Sequence, residues 1–155
     1  MRCERARTVR FAGAVALAGF AALAAACGGS SDPTTVTAPT GTVSTETFMG
    51  TLNPPVNGAL QSNVHPFTVT TAGGSINVTL VTAGPPATIQ LGLALGNPSS
   101  TGTCSIIPGF AQQASAGSTA QLSGSGAPAG AYCLVVGDVG NVLQPVSYTV
   151  TVAHT

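Results

Sequence analysis

The chain has 155 residues and no formal net charge, because four basic and four acidic side chains balance. That balance is misleading, since all four basic side chains lie within the first ten residues and no Lys or Arg follows them. From Cys27 onward the only acids are Asp32, Glu46 and Asp138, and a surface without cations cannot neutralise phosphates, which excludes a nucleic-acid partner.

Residues 1–26 have the order of a secretory signal peptide. Residues 1–10 are basic, and residues 11–26 form an unbroken run of apolar and small side chains that ends in Ala24-x-Ala26. This order predicts export and the removal of residues 1–26. The alternative is an N-terminal membrane anchor, for which sixteen residues of mostly Ala and Gly are short. After Cys27 no apolar run approaches the roughly 20 residues that span a bilayer.

The end of this segment resembles a bacterial lipoprotein signal peptide. Residues 23–27 (LAAAC) lead into residues 28–31 (GGSS), although Ala24 stands where such signals usually have Leu. The resemblance implies that Cys27 receives a thioether-linked diacylglycerol and an acylated amine, which together hold a protein on a membrane effectively permanently. It also implies the outer membrane, in a host that has one, because Gly28 follows the cysteine. Cleavage by a general signal peptidase, without lipidation, remains the alternative.

Residues 27–45 are predicted to be the lipidated cysteine and a flexible linker. The segment from Gly28 is made of Gly, Ser, Thr and Pro, with no apolar period and with Asp32 as its single charge. As a coil of this length it would span about 20–25 Å, which is enough to hold a domain clear of lipid head groups.

Residues 46–155 are predicted to form one all-β domain. Apolar side chains alternate with polar ones, and Gly, Pro and Asn interrupt the runs at the intervals of an antiparallel β protein. Pro66 limits its strand to an edge position or to a late start, and residues 108–117 are predicted to be a loop. The strands are expected at residues 47–52, 65–69, 76–80, 89–95, 104–107, 119–123, 131–136 and 146–152. Seven or eight short strands in about 110 residues predict a β-sandwich.

Three segments together resemble the bacterial pre-peptidase C-terminal domain. They are residues 67–74 (FTVTTAGG), 129–136 (AGAYCLVV) and 148–152 (YTVTV), and with the strands between them the likeness covers roughly residues 45–153. The resemblance implies a small antiparallel, jelly-roll-like β-sandwich that works outside the cytoplasm as an accessory segment of secreted peptidases. It implies no activity for this chain, which lacks the peptidase.

Some members of that family bind calcium, but the resemblance does not extend to a calcium site in this chain. Acidic members often have Asp near the third strand, where this chain has residues 87–91 (ATIQL). Calcium takes six to eight oxygen ligands with several carboxylates, and three scattered acids do not supply them.

Cys104 and Cys133 are predicted to form a disulfide, because they are the two cysteines left inside an exported domain. Two buried free thiols are the alternative. No metal or cofactor is predicted, since His65 and His154 are the only histidines and neither has a short ligand spacing to a cysteine.

No catalytic residue is predicted. Residues 123–126 (SGSG) do not form a Gly-x-Ser-x-Gly elbow, and Asp138 lies in a sequence typical of a turn. Glu46 and Asp138 have no local pattern that would pair them for glycoside cleavage. A small hydrolase remains an alternative only if His65 or His154 lies near a serine in the fold.

The aromatic side chains are the candidates for ligand contact. Tyr132 and Tyr148 have the parity of core residues, whereas Phe110 lies in the predicted loop and is the best candidate, ahead of Phe48. The sequence therefore predicts an exported lipoprotein whose non-catalytic β-sandwich is a binding or envelope-structural module. Its predicted partners are membrane lipid, through acylated Cys27, and an extracellular polymer or envelope protein. The remaining alternative is an unlipidated secreted domain that assists a separate enzyme.

Overall fold

The computed structural model describes residues 41–155. The predicted signal peptide, Cys27 and most of the predicted linker lie outside these residues. The described part contains eight β-strands and no helix, so it has no helix long and apolar enough to cross a membrane. The strands are β1 Ser44–Leu52, β2 Ser62–Val69, β3 Gly74–Gly84, β4 Gln90–Pro98, β5 Cys104–Ser115, β6 Leu122–Ala127, β7 Gly130–Gly137 and β8 Val146–His154.

The strands form two antiparallel sheets of four. The first sheet has the order β1-β8-β3-β6 and the second has the order β2-β7-β4-β5. Consecutive strands mostly alternate between the sheets, which is the double Greek-key arrangement of an eight-stranded jelly roll. The predicted all-β, jelly-roll-like sandwich is confirmed, and β2, which contains Pro66, lies at a sheet edge as predicted.

The core lies between the sheets and consists mainly of the apolar side chains whose alternation predicted the strands. Every second residue is buried in β8, in β3 as far as Leu80 and in β4 from Leu91 to Leu95. β3 and β4 are inner strands of different sheets, so their apolar faces pack across the interior instead of pairing side by side. The largest fully buried side chains include Leu80, Leu91, Leu93, Leu95, Leu134 and Val150.

The prediction of a loop at residues 108–117 was wrong, because β5 runs through to Ser115. Its pairing with β4 jumps from Gly96↔Ile106 to Ala94↔Ala111. Residues 107–110 therefore bulge out of the ladder opposite a single residue of β4, and Gly109 adopts a φ of 84°. The bulge destroys the two-residue period on which the strand prediction depended. The strand expected at residues 119–123 is β6, which begins later, at Leu122.

Strand direction places the loops at two ends of the sandwich. At the N-terminal end, residues 41–43 lead into β1 beside the loops 70–73, 99–103 and 128–129. At the opposite end are the loops 53–61, 85–89, 116–121 and 138–145. Residues 41–43 therefore enter β1 at the N-terminal end.

Cys104 and Cys133 form a disulfide, as predicted, with 6.0 Å between their Cα atoms. It links β5, an edge strand, to β7, and β4 lies between these two in the sheet. Gly96 of β4 makes this possible, because a Cβ there would lie 2.8 Å from Cys104 Sγ. The disulfide therefore crosses β4 on the outer face of the second sheet, at Gly96, which has no side chain.

Candidate apolar binding cleft

An apolar cleft of about 220 Å³ opens between the edge strands β5 and β6. The two strands belong to different sheets, so the cleft leads from the side of the sandwich toward its core. The side chains that form most of its wall are Ile76, Leu95, Ile107, Phe110, Ala127 and Tyr132.

The bulge in β5 supplies the outer wall of the cleft. Ile107 and Phe110 lie within the bulge, are half-buried and pack against the core. Gly124 of β6 faces the Phe110 ring, and a Cβ at this position would lie 2.7 Å from Phe110 Cε1. The ring therefore fits against bare backbone, and residues 124–126 (GSG) form part of the wall.

Tyr132 forms the inner wall, and its polar atom is already engaged. Its hydroxyl donates a hydrogen bond of 3.0 Å to the Pro128 carbonyl oxygen. Its ring stacks on Phe67 with 5.8 Å between the ring centroids. The face that Tyr132 turns to the cleft is therefore the apolar ring.

The chemistry of the lining favours an apolar ligand. No charged side chain lines the cleft, and Ser125 brings the one aliphatic hydroxyl. Such a surface gains free energy by removing apolar groups from water, and it offers no cationic side chain to a phosphate or carboxylate. The cleft lies toward the N-terminal end, because Ile76 and Tyr132 are the third residues of β3 and β7 while Ala127 ends β6.

The structure places Phe110 in a different setting from the predicted loop, but Phe110 remains the aromatic candidate for ligand contact. It is neither in a loop nor fully exposed, since it belongs to the bulged strand β5 and is half-buried. The sequence could not reveal Ile107 and Gly124 as its neighbours, because the bulge in β5 positions Ile107 and the packing of the two sheets brings Gly124 to the Phe110 ring. The Gly-rich β6 segment was the only local signal.

The other open side of the sandwich, between β1 and β2, carries a polar seam of Asn63, His65 and Tyr148. Asn63 Nδ2 donates to the Tyr148 hydroxyl at 2.9 Å, and that hydroxyl lies 2.8 Å from His65 Nε2. Gly50 leaves room for the Tyr148 ring, because a Cβ there would overlap its hydroxyl. Phe48 stacks on the His65 ring at 4.9 Å, so the seam is a packed junction between the sheets.

Burial shifts the pKa values of both titratable groups of the polar seam, His65 and Tyr148. Desolvation lowers the pKa of His65 below its ordinary value and favours the neutral ring. Desolvation also raises the pKa of Tyr148, and the hydrogen bond from Asn63 opposes that rise. In the neutral tautomer whose Nε2 carries no proton, the Tyr148 hydroxyl accepts from Asn63 and donates to His65 Nε2.

His154 is buried and pairs with a carboxylate. Its Nε2 atom lies 3.1 Å from Glu46 Oε1, and its ring packs near Phe67 with 5.6 Å between centroids. Its Nδ1 atom is buried without a hydrogen-bond partner in the part of the chain that the structure describes. Neither histidine hydrogen-bonds a serine within residues 41–155, so no serine is paired with a histidine base there.

Asp138 serves the turn after β7, as its sequence predicted. One carboxylate oxygen accepts backbone hydrogen bonds from Gly140, Asn141 and Val142 at 2.7, 3.0 and 3.1 Å. Glu46 lies near the other end of the sandwich, about six strand residues away, or on the order of 20 Å. That separation exceeds the distance at which two carboxylates flank a glycosidic bond.

Within residues 41–155, no three His, Cys, Asp or Glu side chains group closely enough to hold a metal ion. A comparison of the chain with protein-family models found no match, and a comparison with curated proteins found none either. The function is therefore argued from the residues themselves.

Proposed function

We propose that this protein is an exported lipoprotein of the bacterial cell envelope. In this proposal residues 1–26 are removed, Cys27 is acylated, and residues 27–45 link it to a non-catalytic β-sandwich that binds apolar groups. The observation that carries the proposal is the apolar cleft beside Phe110, which lies toward the same end of the sandwich as the start of β1. A resemblance to lipoprotein signals and to the pre-peptidase C-terminal domain supports the same location.

Binding is favoured over catalysis by how the polar groups are used. His65 is engaged by Tyr148, and His154 by Glu46. Asp138 caps a turn. General acid-base chemistry needs a group within hydrogen-bond reach of a substrate atom, and these groups are committed to neighbours within the fold. The cleft, in contrast, has an apolar wall and is open to solvent on one side.

The membrane attachment is tested by the mass of the mature N-terminal peptide from envelope-fraction protein. We expect Cys27 to carry a diacylglyceryl group and an amide-linked acyl chain, and we expect a full-length Cys27→Ser variant to lack both and to leave the membrane fraction. An unmodified Cys27 in the wild-type protein would contradict the lipoprotein proposal and favour a released accessory domain.

The binding site is tested with octan-1-ol, a neutral probe with an eight-carbon chain. Added to the full-length Cys27→Ser chain, octan-1-ol should shift the backbone NMR signals of Phe110, Ala127 and Tyr132. Phe110→Ala should weaken binding at least fivefold, because it removes the outer wall of the cleft. Phe48→Ala is the matched control, since Phe48 is a half-buried phenylalanine at the other open side. Shifts that are equally weakened by both variants would contradict the assignment of the cleft.

A further inference from the structure

We propose that the cleft receives the end of an acyl chain carried by Cys27 of the same molecule when the protein is outside a bilayer. This inference rests on the proposed acylation of Cys27 and identifies the ligand of the cleft. The cleft then covers part of the anchor that would otherwise lie in water during passage between two membranes.

The length of the chain before the sandwich permits this contact. Fourteen residue steps separate Cys27 from Gly41, the first described residue. A Gly-, Ser- and Thr-rich segment of that length has an end-to-end distance of about 20 Å and reaches at most about 50 Å when extended. β1 and β6 are the two edges of a four-stranded sheet, which places them about 14 Å apart. The lipid on Cys27 therefore reaches the cleft without strain.

The chemistry of the cleft favours a tethered chain over a free lipid. A separate lipid or fatty acid brings a head group or a carboxylate, and no side chain in the lining is charged. A chain attached to Cys27 needs no such recognition, because the linker holds it near the cleft at an effective concentration in the millimolar range. An apolar wall is then sufficient.

The size of the cleft decides how much of the chain enters. Its volume of about 220 Å³ exceeds that of an apolar cavity of about 150 Å³ that binds a benzene molecule. It therefore takes several methylene groups at the end of an acyl chain and not the whole chain. In a bilayer the chain already lies in hydrocarbon and gains nothing from the cleft, so occupancy requires an aqueous surrounding.

The test is photo-crosslinking of the full mature protein from cells fed a long-chain fatty acid with a diazirine near its methyl end. Mass spectrometry first establishes the label on Cys27. After detergent removal and irradiation, we expect intramolecular crosslinks to peptides that contain residues 107–110 and 127–132. In phosphatidylcholine vesicles the yield of these crosslinks should fall at least fivefold.

Two variants and one control assign the crosslinks to the cleft. Ala127→Leu fills the cleft from β6 and should lower the yield at least fivefold, and Ser125→Leu provides a second filling variant at an exposed lining position. Ala129→Leu is the matched control, because Ala129 is exposed and outside the cleft. Thermal unfolding of each variant identifies any that fails to fold.

The possible results separate this inference from the proposed function. A labelled Cys27 with crosslinks that fall elsewhere, or that persist in both filling variants or in vesicles, would overturn the inference and leave the lipoprotein proposal standing. A Cys27 without any label would overturn both.

Discussion

The Tyr148 hydroxyl joins the two sheets at the polar seam, because its ring crosses the place where Gly50 has no side chain. Tyr148→Phe removes the hydrogen bonds to Asn63 and His65. Asn63 keeps the Thr51 carbonyl oxygen as a partner at 3.2 Å, whereas His65 Nε2 loses its partner. We expect a loss of about 1–2 kcal/mol in the free energy of unfolding, measured by urea denaturation.

The control for this variant is Tyr132→Phe. It removes a single hydrogen bond, to the Pro128 carbonyl oxygen, and should have the smaller effect. Equal losses for the two variants would show that the polar seam adds nothing beyond one ordinary hydrogen bond.

His65 should make the stability of the domain depend on pH. Burial lowers its pKa in the folded protein, while the unfolded chain keeps a value near 6.5. Between these two values the unfolded state binds more protons, so acid favours unfolding. The contribution of neutral His65 is fully present above about pH 6.5 and is lost as the pH falls through the lowered folded pKa.

The variant His65→Gln isolates this effect. Glutamine retains an acceptor for the Tyr148 hydroxyl but does not titrate. The free energy of unfolding should therefore fall more for the wild type than for the variant between pH 7.5 and a pH of about 5. Parallel pH profiles would contradict the assignment to His65.

Among the elements, β3, β4 and β8 could be predicted from local sequence, whereas β5 could not. The predicted parts of these strands, residues 76–80, 91–95 and 146–152, alternate between buried and more exposed side chains, because one face of each strand packs into the core. β5 has no such period, because residues 107–110 bulge away from β4. The candidate site shares this limitation: Phe110 was identifiable as an aromatic residue, but its cleft depends on the bulge and on Gly124 from another sheet.

The disulfide adds stability to the element that has the least regular pairing. Cys104 begins β5 and is linked to Cys133 across a sequence separation of 29. Closing a loop of that length in the unfolded chain stabilises the fold by about 3–4 kcal/mol in the chain-entropy model. The double variant Cys104→Ser, Cys133→Ser should lose about this free energy in urea unfolding. A reducing agent should destabilise the wild type alone, and an unchanged wild-type midpoint in the reduced state would contradict the prediction.

At the scale of the whole molecule, composition predicted the absence of cations from the cleft lining but did not predict where the cleft lies. The absence of Lys and Arg after residue 10 is visible in the sequence and accounts for a cleft lining without cations. The position of the cleft near the N-terminal end follows from strand direction in the jelly roll. Strand order is set by pairing between segments that are distant in sequence, so no local pattern in the chain predicts it.

The scarcity of charge also predicts how the folded domain responds to salt. Residues 41–155 contain Glu46 and Asp138 as their only acids and have no Lys or Arg, so added NaCl has almost no ionic interaction to screen. The free energy of unfolding at pH 7.5 should change by less than about 0.5 kcal/mol between about 0.05 and 0.5 M NaCl. Sodium sulfate at equal ionic strength should raise it, because sulfate strengthens apolar burial. A strong loss of stability in NaCl would instead require ionic contacts beyond the His154–Glu46 pair.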